Sequence, residues 1–271
     1  SKIIYEIMHR ENCVAQISTV GECKIYLEDF MPYDLTLEES NDFDKRIKNA
    51  MSFYSWCASR MIPPDRTYAK EILNSIGASQ SVTDRDRAQI ALSYHCLSLL
   101  DVFWVKEENE KVRFEDINLF THSLSNALVD IALRGHQMTV TNAHLLANDL
   151  STGGLYPKAW VRKEDGFYLY KDGGRDAVER EVLASKICRC FDCHQVLYEQ
   201  GMFENEPVSI SKIMTSQRYS LVTYAAYDVY CTNHDWNTLD KILELDAPSY
   251  YMMNILDYLV GNTDRHWENW G

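Results

Sequence analysis

Strand-like alternation of apolar and polar residues runs through the first part of the chain. Successive side chains of a strand point to opposite faces, so this pattern is typical of strands with one buried face. Three such segments are separated by short turns, with Gly21 near the second turn. They predict a small antiparallel meander, formed by residues 2–8, 13–17 and 23–27.

From about residue 38 to residue 100, apolar residues have helical spacing instead of strand-like alternation. Three helices are predicted there, the second at residues 66–76 and the third beginning near Thr83, which is followed by acidic residues that suit a helix N-terminus. A short apolar run at residues 102–105 predicts a further strand. Residues 123–133 return to helical spacing and predict a helix.

After Gly135, strands and helices alternate along the chain. Two segments, 159–162 and 167–171, predict a hairpin whose turn contains Asp165 and Gly166. The other predicted elements are a helix at 176–190, strands at 196–198 and 208–214, and helices at 238–245 and 249–260. The sequence therefore predicts an α+β protein, with a strand-then-helix accessory region at 1–135 and a second region at 136–271.

Composition and charge restrict the partners of the chain. Hydrophobic residues make up 46% of the 271 residues and charged residues 25%, which is enough apolar material for a sizeable core. No apolar run approaches the roughly 20 residues of a membrane span, so we predict no membrane segment. The formal net charge of −13 repels phosphate backbones, so direct nucleic-acid binding is not expected.

The cysteines favour a reducing compartment. No basic and then apolar leader precedes the first strand, so the pattern gives no sign of secretion. Free, mostly buried thiols in the cytoplasm are therefore expected rather than disulfides. Three of them, Cys188, Cys190 and Cys193, lie beside His194 in a spacing that would also suit zinc or haem attachment. Small core side chains are the alternative for these thiols.

Polar residues of the second region follow one another in the order that a phosphotransfer site needs. The turn Ser151-Thr152-Gly153-Gly154 lets backbone N–H groups approach a phosphate, although such turns are also common without a ligand. Lys171 ends an apolar strand and would supply a fixed cation for phosphates, unless it is a solvated lysine at a strand end. Both alternatives stay open on the sequence alone.

Glu181 is the predicted partner of Lys171. It lies in the helix at 176–190 among small and apolar helical neighbours, where a charged side chain needs an opposite charge. Asp176 and Glu179 have the spacing of a capping box, which assigns Glu179 to the helix start. The alternative for Glu181 is a surface position at the edge of the apolar stripe.

Asp264 and Asn269 carry the strongest functional signal. They lie in a polar loop after an apolar helix, in the Asp-x-x-x-x-Asn spacing of protein-kinase catalytic loops. The carboxylate would take the proton of a substrate hydroxyl, and the amide oxygen would bind the Mg²⁺ that bridges the ATP phosphates. Arg265 and His266 are placed to brace the loop through the Asp264 carboxylate. Alternatively, Asp264 and Asn269 cap a turn with His266 and Trp267 packed beneath it.

The segment Asn262-Thr-Asp-Arg-His-Trp-Glu-Asn269 resembles the catalytic motif of the HipA-like serine/threonine kinases of bacteria. Residues 150–158 resemble the phosphate loop of that family, and residues 178–187 resemble its helix that carries the partner of the ATP lysine. The resemblance covers about residues 149–271. It implies a protein-kinase-like N-lobe followed by the start of a helical C-lobe.

This resemblance implies a kinase that uses ATP and Mg²⁺ to phosphorylate a Ser or Thr hydroxyl of a protein. Asp264 would be the catalytic base, with His266 beside it in the catalytic motif. Asn269 would be a Mg²⁺ ligand, and Lys171 would be the ATP lysine that Glu181 positions.

The resemblance also assigns the remaining nucleotide contacts and the partners. Ser151, Thr152, Gly153 and Gly154 would hold the ATP phosphates, and Ser151 falls where members of the family carry an autophosphorylated serine. Residues 208–217 would be the adenine hinge. The partners that it implies are a protein substrate and an antitoxin or another regulatory protein.

The sequence departs from the family in one respect. After the catalytic loop the family carries an acidic metal ligand in an Asp-x-Gly-like turn, whereas this sequence stops two residues after Asn269. We therefore expect weak phosphate transfer by this sequence on its own. Two alternatives stay open: a small-molecule phosphotransferase of the aminoglycoside type, and a non-catalytic pseudokinase or regulatory module that binds a protein partner.

Overall fold

The computed structural model describes residues 2–60, 83–122, 131–133, 136–138, 158–203 and 205–271. Within these residues the fold is α+β, as predicted, with six α-helices, two four-stranded antiparallel sheets and one two-stranded sheet. The chain divides into two compact units, one made of Ser1–Gly153 with Ser216–Ser220 and the other of Gly154–Thr215 with Leu221–Gly271. The predicted boundary near Gly135 falls outside the described residues and stays a prediction.

The first sheet is the predicted meander with one strand added. Its strands are β1 (Ile4–His9), β2 (Asn12–Ser18), β3 (Cys23–Ile25) and β4 (Phe103–Glu107), in the order β3-β2-β1-β4. All neighbouring strands are antiparallel. Apolar side chains of the sheet are buried in the core, among them Tyr5, Ile7, Val14, Ile17, Trp104 and Val105.

The described part of the first unit contains three helices: α1 (Phe43–Ser59), α2 (Asp84–Leu92) and α3 (Phe114–Ile117). α1 packs against β2 and α2. α2 begins where the sequence predicts, because Thr83 forms a capping box with Asp86. The predicted helix at 66–76 lies outside the described residues.

The predicted helix at 123–133 is wrong for its last three residues. β5 (Ile131–Leu133) pairs antiparallel with β6 (His136–Met138), and Leu133 lies opposite His136. A run of three apolar residues fits a helical stripe and a short strand equally well, so the pairing partner decides the structure. The rest of the predicted helix lies outside the described residues.

Gly21 marks a close approach between α1 and the meander. Its φ of +79° is in the left-handed region, and a Cβ at this position would lie 1.7 Å from the carbonyl oxygen of Arg46. The buried side chain of Asn49 completes the contact, since its amide donates to the carbonyl oxygens of Gly21 at 3.1 Å and Glu38 at 2.7 Å. Its oxygen accepts the Glu38 N–H at 2.9 Å. One side chain therefore binds three backbone groups, of which the carbonyl of Gly21 is buried.

The second unit contains the predicted hairpin and the helix that follows it. β7 (Lys158–Lys163) and β8 (Gly166–Lys171) form the hairpin, and α4 (Arg175–Cys188) comes next. β9 (Tyr198–Phe203) and β10 (Glu206–Lys212) complete an antiparallel sheet in the order β7-β8-β10-β9. α4 packs against β9 and β10 and buries Val178, Val182 and Ser185.

Two further helices lie in the described part of this unit: α5 (Tyr224–Asn233), which the sequence analysis missed, and α6 (Thr238–Val260). α6 contains Pro248 and a kink at Asp246, whose φ is −158° and ψ is 74°. The kink separates the two helices that the sequence predicts at 238–245 and 249–260. Within the described part of the chain, no helix is long and apolar enough to cross a membrane.

Replacing Asn49 by Ala is expected to destabilise the first unit. The change removes the side-chain donor to the buried carbonyl of Gly21 and both contacts to the Glu38 backbone, and it should lower the free energy of unfolding by roughly 1–3 kcal/mol. Chemical denaturation measures the loss, with Asn41→Ala as the control because Asn41 is exposed. Equal unfolding midpoints for the two variants would contradict this role of Asn49.

Candidate functional site

Lys171 and Glu181 form the ion pair that the sequence predicts. β8 ends at Lys171, and the chain turns through Gly174, at a φ of 75°, into α4. Nζ of Lys171 lies 2.7 Å from Oε1 of Glu181, and the two side chains are 28% and 22% exposed. The pair is therefore partly shielded from solvent, so that salt screens it less than a surface pair. Its geometry confirms the pairing, while its nucleotide-binding role stays a prediction.

Ser209 binds the other oxygen of Glu181. Its hydroxyl donates a hydrogen bond to Oε2, and its side chain is fully buried. Ser209 lies on β10 directly opposite Lys171 on β8. Both oxygens of Glu181 are thus bound, one from each of two neighbouring strands. The sequence analysis missed Ser209, because a serine in an apolar strand gives no signal of its distant partner.

An open cavity of about 140 Å³ lies beside the ion pair. Two of its residues, Lys171 and Arg180, are cations, and Gly173 presents backbone without a side chain. These groups suit an anion such as a phosphate. The other residues of the lining are Ala177, Val178 and Glu181. The predicted phosphate loop, Ser151-Thr152-Gly153-Gly154, lies outside the described residues.

The predicted capping box of α4 is wrong. The helix begins at Arg175, its N-cap is Gly174, and no side chain caps it. Asp176 consequently lies inside the first turn, and Glu179 is exposed. The physical reason is that Asp172 accepts the N–H of Gly174 at 3.0 Å, which sets the helix start before Asp176.

Asp257 holds the first half of the loop that carries Asp264 and Asn269. It lies near the end of α6, and its carboxylate accepts two hydrogen bonds from Arg265, at 2.6 and 2.8 Å, and one from the Asn262 amide at 2.8 Å. The oxygen of Asn262 in turn accepts the N–H of Asp264 at 3.1 Å. Asp257 therefore fixes the backbone of Asp264 through one intermediate side chain.

The ionisation of Asp257 follows from these contacts. Partial burial acts to raise its pKa, but the hydrogen bonds from Arg265 and Asn262 outweigh burial, so that the pKa lies below its usual range. The predicted brace is corrected accordingly: Arg265 binds Asp257 rather than Asp264. The carboxylate of Asp257 is only 14% exposed and can accept a bidentate guanidinium contact, which favours it as the partner.

The second half of the loop is attached to the N-terminus of α5. The first N–H groups of a helix have no partner within the helix. In α5 the N–H groups of Tyr224 and Ala225 donate to the carbonyl oxygens of Trp270 and Trp267, both at 2.9 Å. The ring of Tyr224 also stacks on Trp270, with a centroid distance of 4.8 Å. The loop is thus bound at both ends.

Asp264 and Asn269 lie exposed between these two attachments. The amide of Asn269 donates to the backbone carbonyl of Asp264, which closes the loop, and its side-chain oxygen accepts no hydrogen bond from a described residue. The Asp264 carboxylate likewise accepts none from the described residues. His266 is exposed and accepts the Glu268 N–H at 3.3 Å. Two oxygen ligands or bases are therefore presented to solvent.

The structure agrees in part with the alternative hypothesis, in which Asp264 and Asn269 only cap a turn. The amide of Asn269 does cap the loop, as that alternative expects. His266 and Trp267 are not packed beneath it, however, because both are exposed, Trp267 by 60%. The carboxylate of Asp264 takes no part in the closure, since the contact uses its backbone carbonyl.

Tyr198 lies within electrostatic reach of both halves of the candidate site. Burial, and next the negative charge of Glu181, raises its pKa to about 12, whereas Arg265 acts in the opposite direction. The backbone N–H of Tyr198 donates to the Ser185 hydroxyl at 3.0 Å, which ties the start of β9 to α4. The ion pair and the loop belong to the same compact unit, and α4 contacts α6.

The cysteine cluster does not form a metal site in the described residues. Cys188, Cys190 and Cys193 are free thiols, and the Sγ atom of Cys193 lies 3.9 Å from the carbonyl oxygen of Cys188. No group of three or more His, Cys, Asp or Glu side chains among the described residues is arranged to hold a metal ion. The zinc and haem alternatives for this segment therefore gain no support.

Comparison with known proteins gives no relative: no protein-family model, no curated protein and no solved structure matches the chain.

Acid pH is expected to loosen the loop through Asp257. The pKa of Asp257 is lower in the folded state than in the unfolded chain. Its contribution to stability is therefore complete at pH values above the unfolded-state pKa, and it is lost as the pH falls through the folded-state pKa. At neutral pH, Asp257→Asn should raise hydrogen exchange across residues 262–269 about tenfold after correction for intrinsic rates.

The matched control is Asp264→Asn, which changes a carboxylate that no described residue binds. Its loop should exchange like the wild type at neutral pH. Exchange in Asp257→Asn that equals the wild type, or that keeps the full acid dependence of the wild type, would contradict the role of Asp257.

Proposed function

We propose that the chain carries the ATP-binding part and the catalytic loop of a Mg²⁺-dependent kinase that transfers the γ-phosphate of ATP to a Ser or Thr hydroxyl of a protein. The observation that supports this most directly is the ion pair of Lys171 and Glu181, which the sequence predicts from kinase-like order and which the fold forms at 2.7 Å. Two cations, Lys171 and Arg180, line the adjoining cavity and would attract a phosphate.

The residues around the cavity fit a nucleotide in their chemistry. Lys171 and Arg180 offer positive charge, and Glu181 keeps Lys171 at the cavity rather than in solvent. A fixed cation of this kind neutralises the oxygens of a transferring phosphoryl group without having to reorganise, which is where most of the catalytic effect of kinases arises. The predicted phosphate loop at 151–154 would supply backbone N–H donors.

The loop that carries Asp264 and Asn269 would supply the proton acceptor and a Mg²⁺ ligand. Asp264 would accept the proton of the substrate hydroxyl on its carboxylate, and the oxygen of Asn269 is a hard ligand of the kind that Mg²⁺ binds. When bound, Mg²⁺ neutralises charge on the ATP phosphates. The braces from Asp257 and α5 would keep Asp264 in place while the hydroxyl approaches.

The finer parts of the proposal come from the resemblance to HipA-like kinases. They are the protein substrate, the autophosphorylation of Ser151, the adenine hinge at 208–217 and an antitoxin or other regulatory partner. A non-catalytic regulatory module is the second candidate. It is favoured by one observation, that the amide of Asn269 is bound to the backbone of Asp264 and so has a structural role already.

Asp264→Asn is expected to lower kcat for phosphate transfer by about 10²–10⁴-fold, because the substrate hydroxyl loses its general base. The assay follows transfer from γ-labelled ATP with Mg²⁺ by the full-length protein, and peptide mapping locates the label. Glu268→Gln is the matched control, since Glu268 is an exposed acid in the same loop. Equal labelling by wild type and Asp264→Asn would remove Asp264 from the mechanism.

Phosphate transfer, rather than nucleotide binding alone, separates the two candidate functions. A kinase and a nucleotide-binding regulatory module should both bind ATP with Mg²⁺, but labelling that depends on Asp264 is expected of the kinase alone. Binding of ATP with no transfer by the full-length protein would favour the regulatory module. Absence of ATP binding would contradict the proposed function as a whole.

A further inference from the structure

A single carboxylate joins three elements of the second unit. Glu181 of α4 receives Lys171 from the end of β8 on one oxygen and Ser209 from β10 on the other. Lys171 and Ser209 are opposite each other in the antiparallel pair of β8 and β10, so both donors approach the carboxylate from the same sheet. The plane of the carboxylate is therefore fixed by two hydrogen bonds rather than by one.

Burial of Ser209 means that water cannot replace its hydroxyl as the donor to Glu181. Ser209 is 0% exposed, so water has no access to its side chain and cannot replace the hydroxyl as a donor. Without the Ser209 hydroxyl, Glu181 could rotate about its side-chain bonds, and Lys171 would lose a fixed acceptor. A glutamate that populates several rotamers holds a lysine less firmly. Ligand binding then has to order both side chains, and this entropy cost lowers the affinity.

We propose that Ser209 is a positioning residue that fixes Glu181, and through it Lys171, for binding the phosphates of ATP. This inference rests on the proposed function. Ser209 does not touch the nucleotide in this scheme, since its hydroxyl is buried and directed at Oε2 of Glu181. It sets how firmly the cation is held at the cavity, and therefore acts on ATP affinity rather than on proton transfer at Asp264.

β10 offers a matched control for Ser209. Ser211 lies two residues further on the same strand, it is 5% exposed, and its position in the strand pattern puts it on the same face. The structure records no hydrogen bond between Ser211 and Glu181 among the described residues. Ser211→Ala thus removes a buried hydroxyl from the same strand without changing the Glu181 contact.

The test measures binding of a non-hydrolysable ATP analogue with Mg²⁺ to the full-length protein by titration calorimetry. Ser209→Ala is expected to raise the dissociation constant about tenfold, because the side chains of Glu181 and Lys171 then have to be ordered when the analogue binds. Ser211→Ala should bind as the wild type does. At saturating ATP, the phosphate-transfer rate of Ser209→Ala should change much less than its ATP affinity, because Asp264 is untouched.

A double-mutant cycle separates positioning from a general loss of structure. In a Glu181→Ala background, Ser209→Ala should cause no further change in ATP affinity, because the group that Ser209 positions is gone. Thermal unfolding of each variant shows whether it is folded, and Ser209→Thr, which keeps the hydroxyl, should bind the analogue more tightly than Ser209→Ala.

The outcomes distinguish this inference from the proposed function. If the wild type does not bind the analogue, the proposed function fails and the positioning role with it. If the wild type binds and Ser209→Ala binds equally well, the positioning role alone is overturned. Additive effects of Ser209→Ala and Glu181→Ala would also overturn it, since they would show that the serine acts independently of the glutamate.

Discussion

A carboxylate with both oxygens bound can hold together segments that are distant in sequence, and each half of the candidate site depends on such a group. Glu181 connects β8, α4 and β10, and Asp257 connects the end of α6 to two positions of the loop. Hydrogen bonds to an ionised group are stronger than neutral ones, and partial burial limits their screening. Loss of one donor would leave a buried charge incompletely satisfied.

The acids of the second unit thus fall into two kinds. Glu181 and Asp257 are bound by internal donors, and for Asp257 these donors lower the pKa, so it remains ionised over a wide pH range. Asp264 is exposed, and no described residue donates to its carboxylate. A carboxylate of this second kind can exchange partners without breaking the fold. The architecture therefore separates two acids that hold the backbone from one that is exposed to solvent.

Local patterns were sufficient to predict most elements around the site. The hairpin of β7 and β8, the helix α4 and the two parts of α6 follow from alternation and helical spacing. The pairing of Lys171 with Glu181 was also predictable, because it needs only a short loop between a strand end and a helix. In each case the deciding residues are close together in sequence.

What the sequence could not supply were contacts between distant segments. Ser209 and Asp257 look like ordinary polar residues until the sheet order and the path of the loop are known. α5 was missed because its stretch of Tyr and Ala residues has little amphipathic pattern, and its N-terminus is completed by carbonyl groups of the loop. The error at 131–133 has the same origin, since a strand partner decided between two locally equivalent structures.

The attachment of the loop to α5 has a consequence for how the molecule assembles. Lys171 and Glu181 are only ten residues apart in sequence, so this half of the candidate site can form as soon as the sheet and α4 are synthesised. The other half cannot be completed until Trp267 and Trp270 reach the open end of α5, and closing that longer segment costs more chain entropy. On the ribosome, the half that contains the Lys171–Glu181 pair would therefore form before the half that carries Asp264.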